Sequence, residues 1–154
     1  NTDQNYLYEA LKWDIVDAYL DLPAHGYSDL YLNYYKNNTE KEQKEISAKK
    51  DTVAMKNPTS LELDAYEGTY VHEVYGEIEL SKKGKALNAT FENHPSLTAS
   101  LEPLGANRFL CTYSNPAYGV KVFPFITEAD AVKQFTLSVA DFLEFTTYDF
   151  IKTE

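Results

Sequence analysis

The stretch LTASLEPLGANRFLCTY, residues 97–113, decides the fold. It contains two runs in which apolar residues alternate with polar or small ones, namely Leu97, Ala99 and Leu101, and then Phe109, Cys111 and Tyr113. Alternation with a period of two places the apolar side chains on one face of a β-strand. Between the two runs, Gly105-Ala106-Asn107 has the composition of a turn. The stretch therefore predicts two neighbouring strands of a half-buried sheet.

The same alternation extends over the chain from Leu61 onward. Counting residues 66–73 as the first strand, we predict eight strands, with the others at 78–80, 87–91, 97–101, 109–113, 120–125, 132–139 and 143–151. The turns between them leave no room for crossover helices, so the sheet must be antiparallel. Closure removes exposed strand edges, which favours an up-and-down eight-stranded barrel or half-barrel. The side chains expected to be largely buried are Leu87, Phe91, Leu97, Leu101, Phe109, Cys111, Val122 and Leu137.

The first helix predicted from the sequence covers residues 3–22, with Asp3 as its N-cap. It has two opposed apolar faces, one through Leu7, Leu11, Ile15 and Leu22, the other through Tyr6, Trp13, Val16 and Leu20. Two faces need two packing partners. We expect the isolated chain either to form a homodimer through this helix or to bring the second helix back over it. The dimer is favoured because the charged half of the second helical region offers only Ile46, Val53 and Met55 as cover.

A second helix is predicted after Ser28, a candidate N-cap. Beyond Asn37-Asn38, the spacing of Thr39 and Glu42 fits a capping box for an exposed third helix, with a disordered linker as the alternative. The helical pattern stops near Asn57-Pro58. We therefore predict a helical connector over residues 1–58 and a β-barrel domain over 59–154. The fold class is mainly β with N-terminal helices (α+β).

Charge and hydropathy argue against two kinds of partner. The net charge of −10 and the isoelectric point near 4.7 disfavour nucleic acid and anionic membrane surfaces. No apolar run approaches the roughly 20 residues of a membrane-spanning helix, so we expect no membrane insertion. The single cysteine, Cys111, is interpreted as a small buried hydrophobic residue.

Two short matches to catalytic motifs fail in context. Ser47-Ala48-Lys49-Lys50 fits the serine-x-x-lysine nucleophile motif, and Tyr31-Leu32-Asn33 fits its tyrosine-x-asparagine companion. However, Ser47 lies in the middle of a charged segment, and the triplet precedes the serine. The three histidines, His25, His72 and His94, show no metal-ligand spacing, and the glycines are dispersed over turns. We predict no catalytic residue, no metal site and no cofactor.

Several residues carry a resemblance to a known family. They are the segment Leu63–Tyr70 with Tyr66, Gly68 and Tyr70, the pair Tyr75-Gly76, the strand at Phe109, and the closing segment Tyr148–Lys152 with Phe150. Together they resemble the lipocalin-like domain of unknown function at the C-terminus of bacterial beta-lactamase-related serine hydrolases, a class C and penicillin-binding-protein-like group. The resemblance covers residues 61–152. Upstream, residues 6–23 are similar to the last helix of the catalytic domain, and residues 27–57 to the connector after it.

The resemblance implies a non-catalytic accessory domain. The hydrolase motifs belong to a catalytic domain outside this sequence, so no catalytic residue is carried over. The implied partner is that catalytic domain in the parent chain, and the implied location is bacterial and extracytoplasmic, either periplasmic or secreted. The implied role is to shape substrate access or assembly. The motif residue Gly68 also has a structural reading, because it removes a side chain where the first strand would bend.

An alternative function follows from the barrel itself. Eight-stranded barrels can enclose a small apolar or aromatic ligand, so the chain could be an independent binding protein.

Overall fold

The structure, a computed structural model, describes residues 6–141 and 143–153. Within these residues two helices precede eight strands: α1 (Leu7–Tyr19), α2 (Tyr27–Ala54), β1 (Gly68–His72), β2 (Gly76–Lys83), β3 (Ala86–Phe91), β4 (Thr98–Gly105), β5 (Arg108–Tyr113), β6 (Val120–Glu128), β7 (Ala131–Leu137) and β8 (Tyr148–Lys152). Two short 3₁₀ turns, Leu63–Tyr66 and Pro116–Tyr118, precede β1 and β6. The predicted class, mainly β with N-terminal helices, is confirmed.

The strands form a closed antiparallel barrel. Each strand pairs with the next along the chain, and β1 completes the circle by pairing with β8 through Tyr70↔Lys152 and Val71↔Ile151. Tight turns make this meander possible. Between β6 and β7, for example, Ala129 and Asp130 both have positive φ angles of 49° and 61°, the geometry of a hairpin turn that matches strand twist. Of the two predicted forms, the full barrel is the one observed.

Aromatic rings fill much of the barrel interior. Tyr70 contacts Phe135 edge to face, with ring centroids 5.0 Å apart, and Phe135 stacks on Phe150 at 5.5 Å. Phe123 stacks on the other side of Phe135, also at 5.5 Å. Barrels of eight strands have an interior just wide enough for side chains to fill, and these rings supply the necessary volume.

Most of the predicted core is confirmed. Five of the eight side chains are buried in the barrel core: Leu87, Leu97, Leu101, Phe109 and Cys111. Phe91 and Leu137 are half-buried and pack against that core. The prediction for Val122 is wrong, because it is only half-buried and β6 turns Phe123 and Phe125 inward instead. Because Val122 and Phe123 are both apolar and adjacent, the alternation does not decide which of them faces the interior. In the structure the larger side chain, Phe123, occupies the interior.

The helical prediction needs three corrections. Helix α1 ends at Tyr19 and not at Leu22, because Asp21 adopts a φ of +52° that interrupts the helical backbone. Helix α2 runs without interruption through Asn37-Asn38, so Thr39 and Glu42 do not begin a third helix and the segment is not a disordered linker. Asparagine costs only a few tenths of a kcal/mol in a helix, and the surrounding Glu, Lys and Gln residues offset that cost. Ser28 lies inside the first turn of α2 rather than at its N-cap. The predicted cap Asp3 lies outside the described residues.

By compactness the chain separates into two units, one ending at Ser47 and the other beginning at Ala48. The barrel belongs entirely to the second unit. The assignment of domains to residues 1–58 and 59–154 stays a prediction. No helix in the described part of the chain is both long enough and apolar enough to cross a membrane.

In the first unit, α2 contacts one of the two apolar faces of α1 and covers it in part, since Trp13 and Leu20 on that face are 40% and 62% exposed. Tyr6 stacks on Tyr31 with ring centroids 5.9 Å apart and meets Tyr34 edge to face at 5.3 Å. Trp13 contacts Tyr27 at 6.3 Å. The second helix therefore does fold back over the first, but through its tyrosines rather than through the three apolar residues expected to provide cover.

The other face of α1 stays open. Its members Leu11 and Ile15 are 56% and 48% exposed, and Leu22, which lies just beyond the end of the helix, is 47% exposed. We call these three side chains, two on α1 and one shortly after it, the open face of α1.

Gly68→Ala is expected to destabilise the barrel by about 1–3 kcal/mol. Gly68 has a φ of +125°, which side-chain-bearing residues rarely adopt, and an added Cβ would lie 3.1 Å from Cε of Lys152. Gly84→Ala is the matched control, because Gly84 also has a positive φ (+66°) but nothing lies within 4 Å of the added Cβ. We expect it to cost only about 1 kcal/mol. Urea unfolding gives both values, and equal midpoints for the two variants would contradict this account.

Candidate functional site

One end of the barrel is closed by the residues that lead into β1. The Tyr66 ring is fully buried there, with its centroid 4.9 Å from that of Phe109 and 5.3 Å from that of Phe125. Its hydroxyl donates to Oδ1 of Asn107 at 2.5 Å, and the Asn107 amide donates to the Thr127 hydroxyl at 3.1 Å. These bonds satisfy the polar end of a buried tyrosine and link the first 3₁₀ turn to the β4–β5 turn and to β6.

The opposite end holds a cavity of about 310 Å³. At this end β1 turns into β2, β3 and β5 finish, and β8 begins. Its walls are aromatic: Tyr75, Phe91, Tyr113, Tyr118, Tyr148 and Phe150. Ile78 and Leu97 add aliphatic surface to the lining. The volume is at the lower end of the range of about 300–1,000 Å³ that is typical of small-molecule sites.

The segment before β8 completes the mouth of the barrel. Tyr113 donates its hydroxyl proton to the Ser138 carbonyl at 2.9 Å, and the Ala140 amide donates to the Tyr118 carbonyl at 2.8 Å. These two bonds anchor the segment against the ends of β5 and the second 3₁₀ turn. As a result Glu144, which follows in the chain, enters the lining of the cavity.

The polar groups of the mouth are few. Asn93, His94 and Glu144 are the polar residues in the lining besides the tyrosines. Neither lysine nor arginine occurs among the described residues that line the cavity. A hydrogen bond with Tyr75, followed by desolvation and the proximity of Glu144, raises the pKa of Tyr148 to about 12. Tyr148 is therefore protonated at neutral pH, and its hydroxyl can donate a hydrogen bond.

Tyr75 and Tyr148 form an aromatic corner at the rim. Their ring centroids are 4.5 Å apart and their planes meet at 61°. His72 packs against both rings, at 5.3 Å from Tyr75 and 5.5 Å from Tyr148. The Nδ1 atom of His72 accepts a hydrogen bond from the backbone N–H of Val74 at 3.2 Å, which fixes the ring against the β1–β2 turn. The corner is thus held in place by the hairpin that carries it.

The residues singled out by the family resemblance divide between the two ends. Tyr75 and Phe150 line the cavity, and Gly76 starts β2 beside them. The other four lie toward the closed end or in the wall: Tyr66, Gly68, Tyr70 and Phe109. Tyr70 donates its hydroxyl proton to the Tyr66 carbonyl at 2.8 Å, which joins two of these motif residues directly. A structural role is therefore supported for Tyr66 and Tyr70.

Sequence reasoning missed the cavity and its carboxylate. Glu144, Tyr113 and Tyr118 come from three separate connections or strand ends, and no short motif unites them. The signal in the sequence is the placement of tyrosines at strand ends, such as Tyr113 at the end of β5 and Tyr148 at the start of β8.

The remaining chemical candidates lie elsewhere. His25 pairs with the buried Asp17, with 2.6 Å between Nδ1 and Oδ2. Ser47 is an exposed residue in the interior of α2. Cys111 is buried in the core, as interpreted from the sequence, and burial raises the pKa of its thiol. Within residues 6–141 and 143–153, no group of three or more His, Cys, Asp or Glu side chains could hold a metal ion.

The closed end, the open apolar mouth and the meander define a small up-and-down barrel with a cavity at one end. The family described as Domain of unknown function (DUF3471) matches residues 52–151, about two thirds of the chain. The chain belongs to this family. No curated protein and no solved structure matches the chain.

Raising the pH above 10 is expected to lower the free energy of unfolding. Burial raises the pKa of Tyr70 and of Tyr113 above the ordinary value of 10.0, so the unfolded chain loses these protons at a lower pH than the folded chain does. The folded state then holds more protons above pH 10, and stability falls as the pH rises through that range. Below about pH 9 the two groups contribute no slope.

Urea midpoints measured between about pH 8 and pH 11 test this expectation. Tyr113→Phe should flatten the decline, whereas Tyr19→Phe, at an exposed position on α1, should leave it unchanged. A wild-type midpoint that stays constant up to about pH 11 would show that these tyrosines do not carry the effect.

Proposed function

We propose that this chain is a non-catalytic C-terminal accessory module of a beta-lactamase-related serine hydrolase, and that it shapes substrate access or assembly of that enzyme. Membership of the family, together with the sequence resemblance of the upstream helical residues to the end of such a catalytic domain, supports the proposal. Ser47, the serine of the motif-like match, is exposed to solvent and lies away from both ends of α2. This is not the setting of an activated nucleophile. Catalysis is therefore assigned to the parent enzyme and not to this segment.

The observation that carries the proposal is the open face of α1. These three apolar side chains are about half exposed, so covering the rest is worth about 2–4 kcal/mol, which is half of the about 1.5–3 kcal/mol that complete burial of each contributes. The opposite face of the same helix already packs on α2, so a further partner is needed for Leu11, Ile15 and Leu22. A catalytic domain that precedes this module in the parent chain is the occupant proposed here. When that domain is absent, a second copy of this chain covers the open face instead, and the two copies form a homodimer.

The isolated chain is expected to self-associate through the open face, and Ile15→Glu is expected to weaken the association at least about 10-fold, because a carboxylate in an apolar interface is costly. Ser47→Glu adds the same charge at an exposed polar position and is the matched control, for which the wild-type association should persist. Light scattering over a range of protein concentrations gives the masses. The longer chain, with the upstream catalytic domain attached, should be monomeric under the same conditions and should protect α1 from hydrogen exchange.

Three outcomes would overturn this proposal. The first is a wild-type chain that is monomeric at every concentration while α1 remains unprotected in the longer chain. The second is an upstream reading frame that lacks a serine-x-x-lysine motif. The third is labelling of Ser47 in the isolated chain by a penicillin or a fluorophosphonate probe, which would make this segment catalytic.

A second function is favoured by the cavity. We propose that the barrel mouth binds a small apolar or aromatic molecule, either within the hydrolase or as an independent binding protein. The six aromatic side chains that line a cavity of about 310 Å³ support this proposal. Apolar walls with a small number of polar groups at the rim are the usual composition of such sites.

Leu137→Trp is expected to abolish this binding, because the larger ring would occupy the cavity that Leu137 lines. The probe is the neutral dye N-phenyl-1-naphthylamine, whose fluorescence rises in an apolar site. We expect the wild type to bind it and Leu137→Trp to bind it at least about 10-fold more weakly. Ile151→Trp, at an exposed position on β8, introduces the same ring outside the cavity and should retain binding. A wild type that gives no fluorescence increase would contradict the proposed ligand site.

A further inference from the structure

The charge distribution in the cavity selects among the ligands that its apolar walls would admit. Glu144 is half-buried and contributes the one carboxylate in the described lining. The ion pairs found among residues 6–141 and 143–153 involve Glu9, Asp17, Asp64 and Asp141, so Glu144 has no cationic side chain of the described chain as its partner. The cavity therefore contains a carboxylate that forms no ion pair with a cationic side chain of the described residues.

The aromatic corner lies beside that carboxylate. Tyr148 contacts Tyr75, and Glu144 lines the same cavity as both rings, so the two rings and the carboxylate belong to one cluster. The two ring planes meet at 61°, which allows a group placed in the corner to contact more than one aromatic surface. The face of an aromatic ring carries negative electrostatic potential and attracts cations, most strongly where water is excluded.

We propose that the barrel mouth binds a small organic cation, an amine or quaternary ammonium on an aromatic or branched apolar body, with its positive charge at the Tyr75–Tyr148 corner and the Glu144 carboxylate. This inference rests on the ligand-binding function proposed above for the same cavity. The apolar part of the ligand fills the interior against Phe91, Leu97 and Phe150.

Other classes of ligand fit this arrangement less well. An organic anion would approach an uncompensated carboxylate inside a chain of net charge −10, without a lysine or arginine in the described lining to receive it. A neutral molecule of the same shape would gain the apolar contacts but would leave Glu144 without a counter-charge. A cation gains the apolar contacts and also pairs with Glu144. The negative net charge of the chain further raises the concentration of the cation near the protein.

Three probes of similar size separate these classes. Benzyltrimethylammonium is the cation, neopentylbenzene is its neutral carbon isostere, and phenylacetate is the anion. Each is measured by displacement of the neutral dye used above, in one buffer at about pH 8. We expect the cation to bind about 10-fold more tightly than the neutral isostere, and the anion to displace no dye.

Two matched variants locate the source of the preference. Glu144→Gln removes the charge and keeps the shape, so it should weaken the cation about 10-fold and leave the neutral isostere within about 2-fold. Glu128→Gln makes the same change of net charge at an exposed position toward the closed end, so it should leave both probes within about 2-fold of the wild type. Thermal unfolding confirms that each variant is folded.

The outcomes distinguish this inference from the function on which it rests. If the dye binds but the neutral isostere binds as tightly as the cation, or if Glu144→Gln leaves the preference intact, the cation inference is wrong and the ligand site stands. If neither the dye nor any probe binds the wild type, the ligand site is wrong and the inference is wrong with it.

Discussion

The pairing of β1 with β8 is the constraint on which the rest of the barrel depends. It leaves no strand edge open, and it brings together the start and the end of the sheet through Tyr70 and Lys152. The Lys152 ammonium donates to the Ala65 carbonyl at 2.7 Å and lies 5.7 Å from the centre of the Tyr70 ring. The absence of a side chain at Gly68 leaves room for this lysine, whose Cε would lie 3.1 Å from an added Cβ. Closure, the family-motif tyrosines and the interior packing are thus parts of one arrangement.

Closure also explains why the two ends differ. A barrel of eight strands has a narrow interior, and the rings of Tyr66, Phe109 and Phe125 fill it completely near the first 3₁₀ turn. At the other end the same circle of strands is lined by side chains that point inward from the rim, and the space between them stays open. Apart from the tyrosines, the polar residues of the described lining are Asn93, His94 and Glu144, and all three lie in connections between strands. The single described carboxylate of the cavity therefore comes from the segment before β8. The tightly packed aromatic cluster and the cavity therefore lie at opposite ends of one sheet.

The barrel could be predicted from the sequence because the alternation that specifies each strand lies within a few consecutive residues. Alternation in β3, β4 and β5 fixed the inward side chains, whereas β6 was phased wrongly where Val122 and Phe123 stand side by side. The break expected at Asn37-Asn38 was also wrong, since a local signal of weak helix propensity is outweighed by good helix formers on both sides. The cavity was not predictable in the same way. Tyr75, Tyr118 and Glu144 meet only after the sheet has closed, and no spacing along the chain records that meeting.

The burial of Cys111 gives the barrel an internal reporter of its own opening. This single thiol lies in β5 with no exposed surface, and burial further suppresses its ionisation to the reactive thiolate. An alkylating reagent in solution therefore reaches it only when the strands separate. At saturating reagent the rate of modification equals the rate of opening, and at limiting reagent it is proportional to the equilibrium fraction of molecules that are open. The kinetics of barrel opening can thus be followed through the sulfur atom of Cys111.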